Sequence, residues 1–122
     1  MIYIKIGEQE LQCITTLRVA ITIQSKFRKP YMQVLENVEK LDLSEQIKLL
    51  YCGIELGEDK VKITEEEFKT LILDNEKYGI EGLITDLERF INALQYPGLS
   101  EEEIEKKLLE KVKKYKKIQN GI

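Results

Sequence analysis

A mainly α-helical domain opened by a short β-hairpin, an α+β arrangement, is what the sequence predicts, on three observations. The first fourteen residues alternate apolar and polar side chains around a glycine-containing turn. From Tyr31 onward, apolar residues recur every three to four positions. Two four-residue boxes, Thr64-Glu65-Glu66-Glu67 and Ser100-Glu101-Glu102-Glu103, have the threonine or serine and glutamate spacing that opens helices.

The elements follow in order. Ile2, Ile4 and Ile6 share one side of a strand and Tyr3 and Lys5 the other; Leu11-Gln12-Cys13-Ile14 follows the Gly7-Glu8-Gln9-Glu10 turn. A lone hairpin is marginal in water, so its isoleucine face must lie on helices. Thr15 to Phe27 has features of both states. Leu17, Ala20, Ile21 and Phe27 suit a helix face, whereas Val19-Ala20-Ile21-Thr22-Ile23 is β-branched enough for a strand; we read it as helix. Arg28-Lys29-Pro30 ends it, because proline disfavours helical geometry in the residue before it. Met32, Leu35, Val38 and Leu41 then recur at every third position, the mark of a helix running to Asp42-Leu43, and Ser44 is placed to cap the next one.

Between Ser44 and Leu56, Ile47, Leu50, Tyr51 and Ile54 form one helical stripe, which Leu49, Cys52 and Leu56 widen; this helix is expected to be the most buried. The Thr64 box opens a helix with Phe68, Leu71 and Ile72, and Asp74-Asn75 ends it. After Gly79, the residues Ile80, Leu83, Ile84, Leu87, Ile91 and Leu94 are expected to form the core stripe of a longer helix. Tyr96-Pro97-Gly98 is the strongest break and divides a core unit, residues 1–96, from an amphipathic, lysine-rich helix in residues 97–122.

Composition narrows the function classes. The chain has 122 residues, 43% hydrophobic and 34% charged, with a net charge of -3 from 19 basic and 22 acidic residues. That length suits one domain, and the mixed charge argues against a dedicated nucleic-acid surface. No apolar run approaches the roughly 20 residues that cross a bilayer, and the N-terminus lacks the pattern of a secretory signal. A cytoplasmic location is the expectation.

The sequence presents no catalytic, cofactor or metal apparatus. There is no histidine, the commonest general base near neutral pH, and Cys13 and Cys52, set among apolar residues, read as buried thiols rather than zinc ligands. The glutamate triplets at 65–67 and 101–103 fall at helix starts, where capping and the helix dipole explain them. Asp74-Asn75-Glu76 lacks the ligand spacing of a calcium loop, and the glycines match no phosphate loop. The chain is expected not to be an enzyme.

What remains is surface. In the last helix Ile104, Leu108, Val112 and Tyr115 follow one another at steps of four, four and three, a narrow apolar seam with a charged back. That seam is the candidate partner-binding site. It could fill a partner's groove, zip against another copy, or fold back onto the core. Lys106, Lys107, Lys111, Lys113, Lys114, Lys116 and Lys117 on the same helix support one alternative, a small nucleic-acid-associated regulator. Interleaved glutamates and the absence of Trp and Phe anchors favour a solvated helix face.

The order of these patterns resembles a known family. The hairpin from Ile2 to Ile14, the Ile-Lys-Leu-Leu-Tyr-Cys-Gly segment at 47–53, Ile-Thr-Glu-Glu-Glu-Phe at 63–68 and the apolar helix at 80–94 look like tail assembly chaperones of long-tailed bacteriophages of Gram-positive hosts. The resemblance covers residues 1–96. It implies a helix-rich, non-enzymatic protein that keeps the tape measure protein soluble, helps recruit tail tube protein around it, and is absent from the finished virion. A homo-oligomer built through the seam is a further expectation.

Overall fold

The computed structural model describes residues 1–58 and 62–120, and the side chains of the last helix as far as Lys113. The chain is mostly helical and begins with a two-stranded antiparallel hairpin, β1 (Ile2–Ile6) and β2 (Gln9–Cys13). Pairing runs from Ile2 opposite Cys13 to Ile6 opposite Gln9. The turn is therefore two residues, Gly7-Glu8, with Gln9 and Glu10 already in the strand. Gly7 takes φ 62° at its first position, a conformation glycine adopts without steric penalty. Period-two patterning places Ile2, Ile4, Ile6, Leu11 and Cys13 on one buried face.

The ambiguous segment is helical: α1 spans Leu17–Phe27 and buries Val19, Ala20 and Ile23. Arg28 ends it in the left-handed conformation, φ 55°. The expected continuous helix after Pro30 is two pieces, α2 (Tyr31–Glu36) and a 3₁₀ turn at Val38–Lys40. Asn37 causes the break. Its side-chain amide donates to the Gln33 carbonyl at 2.8 Å, and its backbone N–H turns to the nearer Val34 carbonyl.

The next helix, α3 (Leu43–Glu55), starts two residues earlier than a cap at Ser44 would place it. Asp42, not Ser44, is its cap, with Oδ1 accepting from the Glu45 N–H at 2.8 Å. As expected, α3 is central: Ile47 and every residue from Leu49 to Ile54 are buried, and it contacts β2, α1 and the two helices that follow. The Thr64 box forms as read and opens α4 (Glu65–Leu73), with Thr64 Oγ1 accepting from the Glu67 N–H and the Glu67 carboxylate accepting from the Thr64 N–H.

In α5 (Gly79–Gln95) the core stripe is rotated from the expected one. Leu83, Asp86, Leu87, Phe90, Ala93 and Leu94 are buried, whereas Ile80 and Ile84 are 65% and 46% exposed. The apolar arc of this helix is wider than the surface it has to cover. Its placement is fixed where Phe90 meets Gly53 of α3, whose missing Cβ leaves the ring, Cys13 and the Ile14 carbonyl their room. After Tyr96-Pro97-Gly98, α6 runs from Glu101 to Asn120. Among the described residues no helix is long and apolar enough to cross a membrane.

Candidate functional site

The candidate seam lies on α6, and the way α6 is held decides which part of it is available. Its first turn is fixed from three sides. Ser100 Oγ accepts from the Glu103 N–H at 3.2 Å, the serine half of the expected box, and donates to the Glu103 carboxylate at 3.2 Å. Arg89, projecting from α5, grips Glu101 with two hydrogen bonds, Nε to Oε2 at 3.1 Å and Nη2 to Oε1 at 2.6 Å. Ile104 is buried at 5% exposure within the core cluster, and Leu108 is half-buried against it.

Arg89 serves more than α6. Its Nη1 donates to the buried Asp86 carboxylate at 2.7 Å, and its Nη2 also donates to the Tyr3 carbonyl of β1 at 3.1 Å. One guanidinium thus ties hairpin, α5 and α6 together. Asp86 is completed by the Tyr78 hydroxyl, which donates to it at 2.7 Å. Burial, reinforced by that bond to a carboxylate, raises the Tyr78 pKa well above its ordinary value. The hydrogen bonds from Arg89 hold the Glu101 carboxyl below its ordinary range.

Magnitudes show what secures the docking. Burying the Ile104 side chain contributes about 1.5–3 kcal/mol. The Arg89–Glu101 pair, with the glutamate 48% exposed, is discounted by solvent to roughly 1 kcal/mol or less. Apolar contact is the main fastener and the ion pair sets register.

Beyond Leu108 the helix leaves the core. Leu109 and Val112 are 55% and 50% exposed. Lys107 and Lys111 lie over the Tyr96 ring, 5.5 and 5.2 Å from its centroid, while Lys106 and Lys113 face solvent. The four predicted seam residues are therefore divided: Ile104 belongs to the chain's own core, Leu108 lies at its margin, and Val112 is presented outward. The Tyr115 side chain lies outside the described residues.

No protein-family model matches this chain, and no curated protein or solved structure matches it. The reading of the surface rests on its geometry.

The groups the sequence offered for covalent or metal chemistry are placed as follows. Burial raises both thiols, Cys13 strongly and Cys52 to about 12, so neither is a thiolate near neutral pH. Among the described residues no three His, Cys, Asp or Glu side chains are grouped to hold a metal. Of the glutamate triplets, Glu67 and Glu103 act in caps and Glu101 pairs with Arg89. Asn75 Oδ1 accepts from the Tyr78 N–H, making the Asp74-Asn75-Glu76 stretch a helix exit. A groove of about 670 Å³ between β2 and α4, lined by Leu11, Ile63, Thr70 and Leu71 among others, is wide open, and among the described residues no buried polar group converges on it.

Sequence reasoning missed Arg89 and Asp86. Their signal was an aspartate interrupting the apolar arc of α5 with an arginine three residues later, a spacing that puts the two on adjacent positions of one helix. It missed Leu109 because that residue lies off the seam.

Proposed function

We propose that this protein is a non-enzymatic assembly chaperone of the kind that serves long bacteriophage tails. It binds apolar helical segments of a tape measure protein in the host cytoplasm, helps recruit tail tube subunits around them, and does not remain in the virion. The observation that carries the reading is the pair Leu109 and Val112, half-exposed on a helix whose first turn is locked to the core. A helix anchored at one end and apolar along its free flank can lend that flank to another amphipathic helix, while surrounding lysines and glutamates keep it wet.

The order of hairpin, capped helices and apolar α5 supports the same reading through its likeness to that family. Both thiols are buried and protonated, and Glu65, Glu67, Glu101 and Glu103 of the acidic triplets are engaged in capping or pairing, which supports a role in binding rather than catalysis. Use of α6 to grip nucleic acid has less support, because Lys107 and Lys111 rest on Tyr96. The test is co-expression with an apolar helical fragment of a tape measure protein. The fragment should become soluble and co-purify; a fragment equally insoluble with and without this chain would contradict the proposal.

A further inference from the structure

Among the described residues, two pairs of exposed apolar side chains one helical turn apart lie outside α6, and they are counterparts. On α1, Leu17 and Ile21 are 59% and 70% exposed, one turn apart. On α5, Ile80 and Ile84 have the same spacing and face outward. Each pair is followed at the same helical offset by a charge of opposite sign: Arg18 one residue after Leu17, Glu81 one residue after Ile80, all exposed. Glu88 extends the acidic flank of α5 by two further turns. Along the chain from Leu11 to Leu35 there is no acidic residue, whereas Arg18, Lys26, Arg28 and Lys29 lie in that stretch. Lys26 is turned inward to Glu55 and Glu65, which leaves Arg18, Arg28 and Lys29 outside.

We infer that the α1 face of one copy docks on the α5 face of the next, so that the chain associates head to tail with itself. Charge complementarity selects this occupant. An antiparallel crossing sets Leu17 and Ile21 against Ile84 and Ile80 and brings the Arg18 flank beside the Glu81 and Glu88 flank, while two α1 faces would repel one another. The faces belong to different neighbourhoods of the fold, since α1 packs on α2 and α3 while α5 packs on α3, α4, α6 and β1. A contact between two different patches is heterologous, so every added copy leaves one face of each kind free, and growth continues into a ring or an open row. Two helix faces make a small interface, so the association is weak and depends on concentration. It does not use the α6 surface and stands or falls independently of the chaperone proposal.

The test uses the full chain and two surface variants, Ile21→Asp and Ile84→Asp, each at a position already open to water and carrying like charges so that the two altered faces repel, with far-UV circular dichroism showing that both remain folded. Sedimentation velocity of the unaltered protein should show mass rising with concentration past that of a dimer. Each variant alone should stay monomeric. An equimolar mixture should form a dimer and stop there, because one variant retains the α5 face and the other the α1 face. A monomeric unaltered protein, a wild-type mass that saturates at two, variants that associate as the unaltered protein does, or a mixture that remains monomeric would each overturn the inference.

Discussion

Replacing Gly53 with alanine probes the closest approach in the fold. A Cβ at this position would collide with the Cys13 sulfur and would lie 2.7 Å from Phe90 Cε1 and 2.8 Å from the Ile14 carbonyl oxygen. None of the three can step aside easily: the thiol and the ring are fully buried, and the Ile14 N–H is itself bonded to the Gly53 carbonyl at 3.0 Å. Helix propensity alone favours alanine by about 1 kcal/mol. Overpacking a filled core costs about 1–3 kcal/mol, and simultaneous contact with three fixed atoms places this site near the upper end. The net expectation is a loss of about 2 kcal/mol, or a fall in thermal midpoint of roughly 8 °C for a domain of this size. Urea unfolding followed at 222 nm would measure it, with an unchanged m-value marking a true stability change. Cys13→Ala should reduce the penalty when combined with Gly53→Ala, since it removes the nearest of the three obstacles. If Gly53→Ala is as stable as the unaltered chain or more so, the packing of α3 against β2 and α5 described above is wrong.

Asp42→Ala should destabilise by about 1 kcal/mol, whereas Ser44→Ala should shift stability by no more than a few tenths, measured by the same unfolding assay. Hydrogen bonding to Arg89 lowers the Glu101 pKa from its ordinary 4.5. The stability it lends is therefore fully present above that value and lost as pH falls through the lower, folded one. Falling protection of the first turns of α6, measured as exchange relative to the intrinsic rate at each pH, on acidification below pH 4.5 should report this, and the effect should be absent in Glu101→Gln. Because burial raises both cysteines, iodoacetamide at pH 8 should leave Cys13 and Cys52 unmodified in the folded chain and label both once urea has unfolded it.

The sequence carried the helices and hairpin because their signals are local. Alternation from Ile2 to Ile6, the Thr64 box and the Pro97-Gly98 break each act through a few neighbouring residues. Where the reading slipped, a competing local bond or a distant surface decided. Asn37 diverts the Gln33 carbonyl that a continuous helix needs, and Asp42 reaches the Glu45 N–H from two positions before the hydroxyl expected as cap. The rotation of α5 is a tertiary matter: its periodicity marks an arc of apolar residues, but only the meeting of Phe90 with Gly53 says which side of the arc is covered. The α6 seam was legible as a stripe. Its division at Leu108 was not, because it depends on where the core stops and on an arginine clamp whose partners Tyr3, Asp86 and Glu101 are far apart in the chain.

The central claim is that the free flank of α6 offers apolar surface to a helical client. It is tested most directly by mixing the purified chain with an aggregating apolar helical fragment of a tape measure protein and following light scattering. The unaltered chain should hold scattering down at stoichiometric ratios, and the doubly substituted Leu109→Asp, Val112→Asp chain, equally well folded because both sites are already open to water, should not. Equal protection by the two proteins, or none by either, would contradict the account.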